Sequence, residues 1–189
     1  MSSRLRVTLQ TAAVLASATV SESAAAGEGW PSEGHGGAGA FSSSCLVATH
    51  PLLHHVGAAE ISTVMAELRQ LVALGTLIEC QPDGSGGNHS MFRFARPQEM
   101  LYRYYELQAT DARALHRAAL GECERQLHAG TAWSLVGASP AERQRSNDYL
   151  LAVFWQLQRH ALAAGDTVRA QQFSGVVSYF TAIVESVPR

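Results

Sequence analysis

Residues 58–94 read AAEISTVMAELRQLVALGTLIECQPDGSGGNHSMFRF, and the period of their hydrophobic pattern changes along the way. Over 58–74, Ile61, Val64, Met65, Leu68, Leu71, Val72 and Leu74 recur at spacings of three and four. That spacing predicts an amphipathic helix with a wide buried stripe. Gly75 is placed to end it, because glycine enters the left-handed backbone of a helix C-terminus without a steric penalty. Residues 76–80 (TLIEC) are then a short β-like run, 82–88 (PDGSGGN) are turn chemistry, and 90–94 (SMFRF) alternate apolar with polar. Together they predict a β-hairpin with a long, glycine-rich tip.

Towards the C-terminus the pattern becomes helical again. Residues 98–129 carry Met100, Leu101, Tyr104, Tyr105, Leu107, Leu115, Ala118, Ala119 and Leu127, one long helix or two with a break near Thr110 and Asp111. A loop over 130–139 follows. Ser139-Pro140-Ala141-Glu142 combines an N-cap serine, a proline in the first helical position and a capping-box acid. The helix it opens is expected to run to about Ala164. Gly165-Asp166 stops it and caps a last helix from Thr167 to about Ser186, so the two form an antiparallel helix hairpin.

Towards the N-terminus, residues 21–44 are rich in Ala, Gly and Ser and read as a linker. In residues 1–20, Arg4 and Arg6 precede the apolar stretch Val7 to Val20, within which Ala16-Ser17-Ala18 has the form a signal peptidase accepts. Thr8, Gln10, Thr11, Ser17 and Thr19 interrupt that stretch. An amphipathic helix with Leu5, Leu9, Ala12 and Ala16 on one stripe is therefore preferred to export.

A helix, a short strand, a glycine-rich tip and a second strand, in that order, resemble the second half of a winged helix-turn-helix domain. The resemblance covers roughly residues 45–96. It implies that 58–74 is the recognition helix and the hairpin the wing, with Ser44 to Val56 supplying the short helix before them. The expected fold is thus mainly α: a winged-helix-like domain (45–96) followed by a helical association region (97–189) that ends in the helix hairpin.

Such a domain implies DNA binding as the default, with the helix in the major groove. The charges weaken that implication. All 14 basic residues are arginine against 16 acids, a net charge of -2. Residues 58–74 hold Glu60, Glu67 and only Arg69, while Asp83 is the one charged residue of the wing tip. Arg69, Arg93 and Arg96 are the phosphate contacts a DNA-binding reading has to use, few beside the several that specific binders neutralise. The absence of lysine also removes P-loop and Schiff-base chemistry.

Other constellations are weaker. Cys45, His50, His54, Cys80 and His89 gather near the winged-helix-like part and are the candidate zinc ligands of a metal-responsive sensor. Loop histidines and buried structural cysteines are the preferred account of them. Gly34 to Gly39 formally match GxGxxG, but no strand precedes them and no helix follows, so linker is the better reading. The cysteines have no local nucleophile signature. Tyr102, Tyr104 and Tyr105 are read as packing at a domain junction rather than as a stacking platform.

The terminal hairpin carries more large apolar side chains than two helices can bury alone. Tyr149, Phe154, Trp155, Phe173, Tyr179 and Phe180 are the candidate protein interface. We therefore expect a non-enzymatic interaction or regulatory protein, without cofactor or membrane span, that assembles with a protein partner or with itself. The first alternative is a dimeric DNA-binding transcriptional regulator and the second the metal-responsive sensor. A cytoplasmic location is expected, with a nuclear or nucleoid-associated one as the alternative.

Overall fold

The computed structural model describes residues 3–18, 39–51, 58–80, 90–130 and 139–186. Among these the chain is mainly helical, with seven helices and one small antiparallel sheet. The elements run α1 (Ser3–Ser17), β1 (Ala40–Ser42), α2 (Ser43–Thr49), α3 (Ala58–Ala73), β2 (Leu77–Cys80), β3 (Met91–Phe94), α4 (Pro97–Tyr105), α5 (Ala109–Gly130), α6 (Pro140–Ala164) and α7 (Thr167–Ser186). No helix among the described residues is long and apolar enough to cross a membrane.

α3, β2 and β3 lie where their periodicities place them. Gly75 sits at φ 71°, and the amides of Gly75 and Thr76 bond back to the carbonyls of Val72 and Leu71, closing α3 with a left-handed turn. β3 is the central strand, in the order β1-β3-β2. Its register against β2 sets Leu77 opposite Phe94 and Cys80 opposite Met91. Phe92 and Phe94 point into the core and Met91 and Arg93 away from it, the alternation a half-buried strand requires.

β1 is the element that composition conceals. Ala40, Phe41 and Ser42 fall within 21–44, the stretch read as linker, yet they pair with Arg93, Phe92 and Met91. Phe41 stacks on Phe92 at 6.2 Å between ring centroids, so one buried aromatic contact holds a strand of three residues. Ser42 ends the strand and caps α2, its hydroxyl accepting the Cys45 amide at 3.1 Å.

α1 is built into the same core. Leu5, Leu9, Ala12, Ala13 and Ala16 are almost fully buried with Leu46, Leu68, Leu71, Phe92 and Met100. Its alanines let α1 run close beside the elements it touches, β1, α2, α3, α4 and α5. The core crosses residue 96, where the winged-helix resemblance ended: Met100 of α4 and Ala119 of α5 pack with the sheet residues.

The break expected near Thr110 and Asp111 lies slightly earlier, between Tyr105 and Ala109. There the amides of Glu106 and Leu107 close α4 on Tyr102 and Tyr104, and the Ala112 amide opens α5 on Gln108. α6 starts with the full capping box: the Ser139 hydroxyl accepts the Glu142 amide, and the Glu142 carboxylate accepts the Ser139 amide at 2.7 Å. Gly165 at φ 79° ends α6, and the Asp166 carboxylate caps α7 by accepting the Arg169 amide. α6 packs on α5 and on α7 around a second core of Leu120, Cys123, Leu157, Ala161 and Ala170.

Candidate functional site

Three groups of buried polar side chains lie where helices meet, and one large exposed face lies beyond them. The first group joins α1, α2 and α3. Glu67 accepts Arg4 Nε at 2.8 Å and the Thr8 hydroxyl at 2.7 Å. With its proton committed to Glu67, Thr8 Oγ1 accepts from His50 Nε2 at 3.0 Å. Burial pulls the His50 pKa below the ordinary histidine value, with Glu67 opposing and Arg4 adding to the shift.

The second group joins α4, α5 and α6. His116 and His160 are hydrogen-bonded Nδ1 to Nδ1 at 2.9 Å, and His116 Nε2 meets the Tyr104 hydroxyl at 3.0 Å. Both imidazoles are about 2% exposed. Burial pushes the His116 pKa down to about 4. Burial and then the neighbouring imidazole push His160 down to about 3, so both rings are neutral near pH 7. Tyr104 thus packs between α4 and α5, while Tyr102 and Tyr105, expected to pack with it, are exposed.

The third group joins α2 to α5. Cys45 packs on the core that contains Cys123, and Gln126 Nε2 lies 3.5 Å from Cys45 Sγ. Glu122 is held by Arg125 through two hydrogen bonds and by Gln126 through one, and these outweigh the burial that opposes them, keeping its carboxyl below the usual carboxylate range.

The candidate metal ligands among the described residues, Cys45, His50 and Cys80, are not gathered. Cys45 lies on α2 beside Cys123, His50 caps α2 and bonds to Thr8, and Cys80 ends β2. His54 and His89 lie outside the described residues. Among the described residues no group of three or more His, Cys, Asp or Glu side chains is arranged to hold a metal ion. A cleft of about 260 Å³ between α1, α2 and α5, with Val7, Gln10, Thr49 and Leu115 in its walls, is smaller than most small-molecule sites.

The candidate phosphate contacts are on the outer side of the sheet-bearing half. Arg69 and Arg96 are exposed and Arg93 is half-buried on β3. None of the three forms an ion pair among the described residues. The acidic charge counted against α3 in the sequence is partly spent internally, because Glu67 is clamped by α1. Ile61, Ser62, Thr63, Ala66, Arg69 and Gln70 are the exposed residues of α3 around Glu67, and Glu60 is half-exposed.

The expected interface residues divide into two sets. Phe154 stacks on Phe180 at 6.0 Å and meets Phe173 at 6.2 Å, so these three rings form the seam between α6 and α7. Tyr149, Trp155 and Tyr179 stay exposed, with Leu162 and Val168 beside them in the exposed set. Even at the seam, Phe173, Val176, Phe180, Ile183 and Val184 are only half-buried, because among the described residues α6 is the one element with which α7 makes extensive contact.

Sequence spacing carries no trace of the contacts by which the three buried groups join separate elements. Thr8 and Glu67 are 59 residues apart and the two histidines 44 apart. A weak signal exists for the histidines: His116 and His160 each sit on the apolar stripe of a helix, where an imidazole needs a partner. No family model matches the chain, and no curated protein and no solved structure matches it either.

Proposed function

We propose that the chain is a winged helix-turn-helix protein that works by assembly, with two copies associating through the face formed by α6 and α7. Two observations support the winged-helix part: the order α1-β1-α2-α3-β2-β3 and the strand order β1-β3-β2, which together supply the first helix and first strand that residues 45–96 lack. α6 and α7 are then the antiparallel helix hairpin of the association region.

The observation that carries the assembly is the incomplete burial of α7. Residues 170–184 contain no charged side chain, while five of their large apolar groups are half-buried and Tyr179 is 63% exposed. A monomer leaves that surface in water, at roughly 25 cal/mol per Å² of apolar area. A second copy suits it because two uncharged α7 faces meet without like-charge repulsion. Sedimentation equilibrium of the full chain tests this. A dimer at micromolar concentration is expected, and Trp155→Glu with Tyr179→Glu, both at exposed positions, is expected to yield a folded monomer. A wild-type chain that stays monomeric across the concentration range refutes the assignment.

DNA binding is the second reading, favoured by one observation: Glu67 turns towards α1 and leaves Arg69 exposed on α3 beside the uncharged Ala66, Gln70 and Ala73. A dimer doubles Arg69, Arg93 and Arg96. Electrostatic affinity is largest in dilute salt, so a chain that fails to retain duplex DNA at about 50 mM salt excludes it.

A further inference from the structure

Cys45 and Cys123 differ in almost everything except their position. Cys45 is on α2, three residues after the N-cap Ser42, and is partly exposed. Cys123 is midway along α5 and buried. Gln126, one turn beyond Cys123 on the same helix, places its side-chain amide 3.5 Å from Cys45 Sγ. The face of α5 that carries Cys123 is thus the face against the Cys45 sulfur. That amide is held in turn by Glu122, which Arg125 fixes from the other side at 2.6 and 2.8 Å. Hydrogen bonding from the Cys123 thiol lowers the Cys45 pKa below the ordinary thiol value against the opposing effect of burial, with Ser42 and Gln126 helping. Its interaction with Cys45 and its own burial push the Cys123 pKa up. A partly exposed thiol whose pKa is lowered, packed beside a second thiol whose pKa is raised, is the arrangement found in peroxide-sensing cysteines. Cys80 lacks it: its sulfur meets only the Ile78 carbonyl, at 3.9 Å, among the described residues.

We propose that Cys45 and Cys123 are a redox pair, in which a hydroperoxide oxidises Cys45, Cys123 resolves the product, and the resulting disulfide staples α2 to α5. The Cys45 thiolate attacks one peroxide oxygen, the O–O bond breaks, and Cys45 becomes a sulfenic acid. With hydrogen peroxide the departing hydroxide takes up a proton and leaves as water. The Cys123 sulfur then attacks the Cys45 sulfur, the S–O bond breaks, and the leaving hydroxide takes the Cys123 proton as a second water. Two thiols lose two electrons and two protons to one peroxide, and a dithiol reductant reverses the change. The bond ties the helix before the recognition helix to the helix that packs on the assembly face, so oxidation restrains the two regions relative to one another.

The test treats the full-length chain with one equivalent of hydrogen peroxide and counts thiols after denaturation. Free thiols are expected to fall from three to one, with a Cys45–Cys123 peptide in the digest, and dithiothreitol restores all three. In Cys123→Ser a dimedone adduct is expected on Cys45, whereas Cys80→Ser retains the full response. Three thiols remaining after oxidation, or a first oxidation product at Cys80 or between two chains, overturns the proposal. The wild-type peptide map decides the matter even if a cysteine variant fails to fold.

Discussion

Lowering the pH from 7.5 to 5 should destabilise this protein through two side chains at the centre of its helical half. His116 and His160 are neutral when folded, with pKa values near 4 and 3, whereas in the unfolded chain each titrates near 6.5. The stability they contribute is fully present above pH 6.5. It is lost as the pH falls towards the folded values, because over that interval only the unfolded chain binds the protons. Integrating the proton difference gives about 2 kcal/mol per histidine between pH 7.5 and 5, so about 4 kcal/mol for the pair. A domain of this size has about 5–15 kcal/mol in total. Urea unfolding followed by circular dichroism at half-unit pH steps measures the loss. The interval above pH 5 is chosen because most carboxylates titrate below it. His116→Phe combined with His160→Leu should flatten the curve there, leaving the smaller slope from His50, whose pKa is lowered in the same direction. If the double variant loses stability as steeply as the wild type, the buried pair is not the cause. If nuclear magnetic resonance shows either imidazole protonating near pH 6.5 in the folded chain, the burial argument fails outright.

Two glycines should respond to alanine with opposite signs. Gly165→Ala forces a Cβ into the left-handed turn after α6 at φ 79° and should cost about 1 kcal/mol in thermal unfolding. Gly175→Ala adds a Cβ to the middle of α7 with nothing within 4 Å and should stabilise by up to about 1 kcal/mol. Equal effects at the two sites would show that backbone conformation does not decide them. Glu67→Gln keeps the shape but removes the charge that Arg4 and Thr8 both hold, and a loss of about 1–2 kcal/mol in urea unfolding is expected. A change within about 0.3 kcal/mol would instead place the pair with exposed ion pairs, which contribute little.

Local chemistry made much of the fold legible in advance. The stripe of α3, Gly75, the alternation of β3, the capping box at Ser139 and the stop at Gly165-Asp166 each depend on residues within a few positions of one another, and each stands where its chemistry puts it. β1 escaped because three residues in a glycine- and serine-rich stretch have no periodicity; only Phe92 across the sheet gives Phe41 a reason to be there. α1 was legible as a helix but not as the centre of the core, since its alanines become informative only once Leu68 and Met100 close around them.

The functional groups divide in the same way. Composition fixed the absence of lysine and the shortage of positive charge, and these hold for any conformation. Packing alone determined that Glu67 turns inward, that Phe154, Phe173 and Phe180 close a seam while Tyr149, Trp155 and Tyr179 stay outside, and that Cys45 meets Cys123 and His116 meets His160. Those are contacts between distant parts of the chain, and a sequence has no local term that records them. What each of these side chains can do, from carrying a proton to meeting a second copy, follows from the neighbour it was given when the helices closed.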